Sequence, residues 1–110
     1  QRAYVDDDAF AAYWVENRSQ FRPRSAAALR FELRQKGVDG ETIDAATADL
    51  DEDAAAWAAV ANRVARWQEL PEAEFEQKVI GLLARRGFGF GVARQTARRA
   101  WQELHTADKL

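Results

Sequence analysis

The strongest constraint in this sequence is a helix ending that the chain writes twice. Leu33-Arg34-Gln35-Lys36-Gly37-Val38 returns as Leu83-Ala84-Arg85-Arg86-Gly87-Phe88. Each copy runs from an apolar residue through polar and basic ones to a glycine and then to a second apolar residue. That order marks a helix closed by a left-handed glycine, a conformation in which other residues suffer a Cβ clash. Val38 then folds back onto Leu33, and Phe88 onto Leu83. Two matching endings, offset by 50 from Gly37 to Gly87, predict two copies of one structural unit. At that offset Leu29 meets Val79, Leu33 meets Leu83, Val38 meets Phe88 and Thr42 meets Val92, all read as core positions.

The remaining stretches read as helix, because alanine, leucine, glutamate and arginine abound and no β-branched run alternates with period two. Six helices are expected. The first follows Asp6-Asp7-Asp8, places Phe10, Tyr13, Trp14 and Asn17 at helical spacing, and ends near Ser19. Pro23 makes residues 21–24 a connector. Ser25 caps the second helix, with Ala26, Leu29 and Leu33 inward and Arg30 and Arg34 outward. Asp39 caps a short third helix carrying Ile43, Ala46 and Leu50. A fourth, from about Asp53, lines up Trp57, Val60, Ala61, Val64 and Trp67 on one side. Leu70-Pro71-Glu72 restarts the chain into a fifth with Phe75, Val79, Leu82 and Leu83 buried. The sixth begins near Phe90, lines up Val92, Ala93, Ala97, Ala100, Trp101 and Leu104, and frays from His105.

These readings predict an all-α fold of two tandem three-helix repeats, residues 1–50 and 51–110, forming an elongated, right-angled or curved helical array. Repeat arrays usually need about three copies for stability. That deficit, and Gln1 standing where a methionine would start a chain, lead to the expectation of a longer polypeptide with a further repeat upstream.

Several motifs imitate chemistry and fail on detail. Asp49, Asp51 and Asp53 mimic the opening of a calcium loop, but Ala54 takes the place of the turn glycine and Val60 that of the closing glutamate, so no metal site is expected. Gly87-Phe88-Gly89-Phe90-Gly91 follows no strand and lacks dinucleotide-loop spacing; it reads as a helix–helix turn. The absence of cysteine excludes disulfides, thiolate zinc sites and a cysteine nucleophile, and fits an intracellular origin. His105, the single histidine, has no serine or carboxylate placed beside it by helical spacing, so no catalytic residue is assigned. No apolar run approaches a membrane span, and the expectation is a soluble, cytoplasmic monomer without a cofactor. The tryptophans Trp14, Trp57, Trp67 and Trp101 read as core, whereas Tyr13 and Phe21 are candidates for a partner surface.

The net charge of -2 conceals segregation. From Arg18 to Lys36 the charges are Arg18, Arg22, Arg24, Arg30, Arg34 and Lys36 against Glu32 alone. From Asp39 to Asp53 all are acidic, and from Lys78 to Arg99 all are basic again. Basic zones without acidic partners favour a polyanion or an acidic protein surface over simple solvation.

Asp7-Asp8-Ala9-Phe10-Ala11, Trp14-Val15-Glu16-Asn17-Arg18, the Leu33–Val38 ending with Ile43 after it, and Leu83–Phe88 together resemble the RecX regulatory proteins of bacteria, from Val5 to Leu104. The resemblance implies tandem three-helix repeats, of which these look like the second and third. It also implies a non-enzymatic modulator that binds the RecA nucleoprotein filament and inhibits strand exchange, ATP hydrolysis and co-protease activity. The contact residues expected on charge are Arg30, Arg34, Lys36, Lys78, Arg85, Arg86, Arg94, Arg98 and Arg99, with the DNA phosphate backbone as a further partner. The rival readings are a stand-alone DNA-binding helical module and a structural helical adaptor.

Overall fold

A computed structural model describes residues 7–107. Among them the chain forms six α-helices and no strand: α1 (Asp7–Phe21), α2 (Ala26–Gln35), α3 (Gly40–Thr47), α4 (Glu52–Val60), α5 (Glu72–Arg85) and α6 (Phe90–Ala107), with a 3-10 turn at Val64–Trp67. Asp6, the start of the acidic run, and residues 108–110 lie outside the described residues.

Both repeated endings close as their sequence requires. Gly37 has φ 87° and Gly87 φ 92°. The Gly37 N–H donates to the Arg34 carbonyl at 3.0 Å and the Val38 N–H to that of Leu33 at 3.1 Å; Gly87 to Ala84 and Phe88 to Leu83 repeat the pair at 3.0 Å each. Two orphan carbonyls are satisfied at each end, and Val38 and Phe88 are drawn into their cores. Helix starts are equally explicit. Ser25, Asp39 and Asp51 accept from the amides of Ala28, Thr42 and Ala54, respectively.

α1–α3 enclose one core, of Ala11, Val15, Leu29, Leu33, Val38 and Ile43, and α4–α6 enclose another, built around Phe75, Val79, Leu82, Leu83 and Phe88 with the alanines of α6. Each unit therefore buries its own apolar stripe. The pairs Leu29/Val79, Leu33/Leu83 and Val38/Phe88 are buried in both copies, whereas Thr42 and Val92 are only half-buried and the buried pair is Ile43/Ala93. The array measures 56 × 23 × 19 Å, with a radius of gyration of 16.4 Å. A globule of about this length would have roughly 13 Å.

Three expectations give way to packing. α1 presents Ala11 and Val15 to the core, not Phe10 and Tyr13, which stay exposed. The close approach of α1 to α3 accommodates small side chains. The fourth helix does not run on to Trp67. Arg63, Arg66 and Leu70 donate to residues three back, Val60, Arg63 and Trp67, and this tightened path carries Val64 into the core before the turn at Pro71. His105 does not begin a frayed tail: its ring stacks on Trp101 at 3.7 Å, its Nδ1 lies 2.8 Å from the Trp101 carbonyl oxygen, and the helix continues to Ala107. None of the four tryptophans is fully buried; each lies half-buried at the edge of a core.

Candidate functional site

The repeats meet where the end of α5 docks on the start of α2. The Arg86 carbonyl accepts from the Ser25 N–H at 3.1 Å, and Arg86 Nη1 donates to the Pro23 carbonyl at 3.2 Å. Gly87 lies so close to α2 that a Cβ there would sit 2.6 Å from Ser25 Oγ and 2.8 Å from the Ala28 Cβ. α2 has no acidic residue in its first turn; Glu52 at the start of α4 supplies one, its Oε2 accepting from the Ala26 N–H at 2.6 Å. Gly37, the counterpart of Gly87, faces open space.

The basic residues fall into two groups. In the first, the cation is held by the fold. Arg30 Nη1 reaches Thr47 Oγ1 at 3.4 Å, and Lys36 Nζ lies 5.0 Å over the Trp14 ring. Arg86 clamps the joint. Arg99 stacks 3.8 Å over Trp57, and its Nε lies 2.9 Å from Glu103 Oε2. Arg18, over Trp14 at 4.6 Å, and Arg24 both face Glu32 at 3.3 Å, while Trp14 Nε1 donates to the same carboxylate at 2.8 Å. The second group, Arg34, Lys78, Arg85, Arg94 and Arg98, is exposed, and its side chains have no hydrogen-bond or ion-pair partner among the described residues.

Arg94 and Arg98, one turn apart on α6, line an open groove with Phe90, Gly91, Val92 and Gln95. Phe90 is 64% exposed. No α5 residue lines that groove, so Lys78 and Arg85 do not join Arg94 and Arg98 there. Arg85 instead neighbours Arg86 at the end of α5. Burial lowers the pKa of the Arg86 guanidinium, and the positive charges of Arg63, Arg22, Arg24 and Arg85 lower it further. Sequence reading missed Arg22, Arg24 and Arg63 as site residues, because they come together only through the docking of the two repeats. The acidic segment is partly consumed as structure: Asp39 and Asp51 cap helices and Glu52 caps α2 from the other repeat. At Asp39 the amide of Thr42, and then its hydroxyl, hold the carboxyl below its ordinary value.

Two family models match consecutive parts of the chain: the second three-helix domain of RecX over residues 6–46 and the third over residues 51–97. The chain belongs to the RecX family. Relatives named regulatory protein RecX include that of Thermobifida fusca (strain YX), 39% identical over 97 residues that make up 86% of this chain and 52% of the relative. That of Streptomyces coelicolor is 36% identical over 102 residues, 90% of this chain and 54% of the relative. That of Mycolicibacterium smegmatis is 38% identical over 96 residues, 81% and 51% of the two chains. The chain thus spans about half the length of the curated relatives it matches. No solved structure is significantly similar to it. No helix among the described residues is long and apolar enough to cross a membrane.

Proposed function

We propose that this chain regulates homologous recombination and the SOS response by binding the RecA nucleoprotein filament, and that binding inhibits strand exchange, ATP hydrolysis and co-protease activity. Membership of the RecX family carries the reading. The shape supports it, since an array 56 Å long and about 20 Å across offers more side surface than a globule of equal mass and suits a filament groove. The chemistry is binding rather than catalysis. Arg34, Lys78, Arg85, Arg94 and Arg98 make the outward contacts, while Arg30, Lys36, Arg86 and Arg99 hold the surface that presents them. The protein acts as a cytoplasmic monomer, and affinity falls with salt because exposed cations supply much of it.

The test follows ATP hydrolysis by RecA assembled on single-stranded DNA as the protein is added. A progressive fall in rate supports the reading, and an unchanged rate at saturating protein overturns it for this segment. A second reading, a stand-alone DNA-binding module, draws on the exposed α6 face after the tight Gly87 turn. It requires equal or tighter binding to bare DNA than to RecA-coated DNA; the regulator prefers the coated form.

A further inference from the structure

The joint between the repeats is more than a structural seam. On one of its sides lies a cleft of about 170 Å³, lined by Ser19, Gln20 and Phe21 from the end of α1, by Asn62 and Arg63 after α4, and by Arg86 at the end of α5. Its lining is mainly polar and contains no carboxylate. Arg22, Arg24 and Arg85 stand close enough for their charges to act on Arg86.

Stabilisation of helix ends does not account for this much positive charge. The C-termini of α1, α4 and α5 approach this region, each offering about half a negative charge, and Glu32 offers one more to Arg18 and Arg24. Arg22, Arg24, Arg63, Arg85 and Arg86 bring five guanidinia to the region, more than these groups balance. The acidic residues Asp49 and Asp51 line an adjoining cleft, which shares Ser19, Pro23 and Ala58 with the first and contains none of its arginines. The guanidinium groups of Arg22 and Arg63 have no hydrogen-bond or ion-pair partner among the described residues. Phe21 is 69% exposed, more than any other large apolar side chain among the described residues. A bare aromatic ring at the rim of an arginine cluster has the two components of a single-strand site: cations for the backbone and a face on which a base can stack. An acidic protein surface would use the arginines but leave Phe21 unexplained.

We propose that the inter-repeat cleft is a binding site for single-stranded nucleic acid, in which Arg63 and Arg86, with Arg22 and Arg85 at the rim, hold consecutive backbone phosphates while Phe21 stacks on a base. The site needs no recombinase, and so goes beyond the regulatory reading above. Bound within a filament, it would reach the DNA strand directly.

The experiment measures fluorescence anisotropy of a labelled twelve-residue oligothymidylate with the whole chain, across a salt series. A chain of abasic phosphodiester units of equal length, duplex DNA and polyglutamate serve as comparison ligands. Phe21→Ala is expected to weaken oligothymidylate binding by about 5- to 150-fold and to leave the abasic ligand unaffected. Arg22→Gln with Arg63→Gln is expected to weaken both and to flatten the logarithmic salt slope by about 1.4, two contacts' worth on a single strand. Circular dichroism checks that each variant folds; Phe21 and Arg22 are exposed, and the half-buried Arg63 becomes a glutamine of similar reach. Unchanged affinity and salt slope in the arginine variant would overturn the site. Equal loss on both ligands in Phe21→Ala, or no loss, would overturn the stacking. Duplex or polyglutamate competing as strongly as the oligothymidylate would overturn the single-strand assignment. RecA is absent throughout, so these results are independent of the ATP-hydrolysis test.

Discussion

Gly37 and Gly87 give the structure an internal control. Their φ angles are 87° and 92°, and both close a helix through the same pair of backbone hydrogen bonds. Replacing either by alanine imposes the left-handed cost, about 1 kcal/mol. At Gly37 nothing lies within 4 Å of the new Cβ, so that cost is the whole effect. At Gly87 the Cβ would lie 2.6 Å from Ser25 Oγ and 2.8 Å from the Ala28 Cβ, contacts that force α2 and α5 apart. Overpacking of this kind adds about 1–3 kcal/mol. Gly37→Ala should therefore lower Tm by roughly 4–8 °C, and Gly87→Ala by two to four times as much. Thermal unfolding followed by circular dichroism measures both. Hydrogen exchange at the Ser25 amide, which donates to Arg86, should quicken only in Gly87→Ala. Adding Ala28→Gly removes one clashing atom, so it should recover part of the Gly87→Ala loss and none of the Gly37→Ala loss. Equal Tm losses in the two single variants, or no coupling to Ala28, would refute the docking of α5 on α2.

Other consequences are local. Glu32→Gln strips the one carboxylate facing Arg18 and Arg24, whose Nε atoms are buried, and should cost about 1–3 kcal/mol in urea unfolding. Asp39, held below its ordinary value of 3.8, stabilises the folded chain above that pH, and its contribution is lost as pH falls through the lower folded value. Asp39→Asn keeps an acceptor for the Thr42 amide, so acid unfolding below about pH 4 should become less steep while neutral stability changes little. Arg94→Glu with Arg98→Glu should weaken filament binding without lowering Tm. Arg99→Glu should lower stability instead, by about 0.5–1 kcal/mol for the lost contact with Trp57, plus repulsion from Glu103.

What was legible in the sequence is what a residue does to its own helix. The glycine endings, the caps Ser25 and Asp39 and the stripes of α2 and α5 were readable because each depends on neighbours within a few positions. The aromatic stripe of α1 misled because Ala11 and Val15 share its helical period on an adjoining face, and only the distance to α3 decides which face goes inward. The joint was not readable. Glu52 caps a helix that begins 26 positions earlier, and Arg86 reaches across 63 positions to Pro23. Arg99 looked like a free cation because its partner ring, Trp57, belongs to another helix and its partner carboxylate, Glu103, lies just beyond the basic run that ends at Arg99. Charge runs identify basic segments, but only docking shows which cations are already engaged.

The two repeats share a glycine helix ending and core positions but carry opposite surface chemistry. At the offset of 50 that superposes their cores, Arg94 falls on Asp44, Arg98 on Ala48 and Phe90 on Gly40. α6 thus presents an aromatic ring and two unpaired cations where α3 presents a carboxylate and two small residues. A filament built of repeating subunits offers a repeat array several equivalent seats, and identical repeats would slide among them. Unlike repeats would not. Shifting this chain by one repeat would place Asp44 against the anionic surface that received Arg94, replacing attraction with repulsion. On the regulatory reading, the charge segregation visible along the sequence fixes the register and polarity of binding as well as its strength.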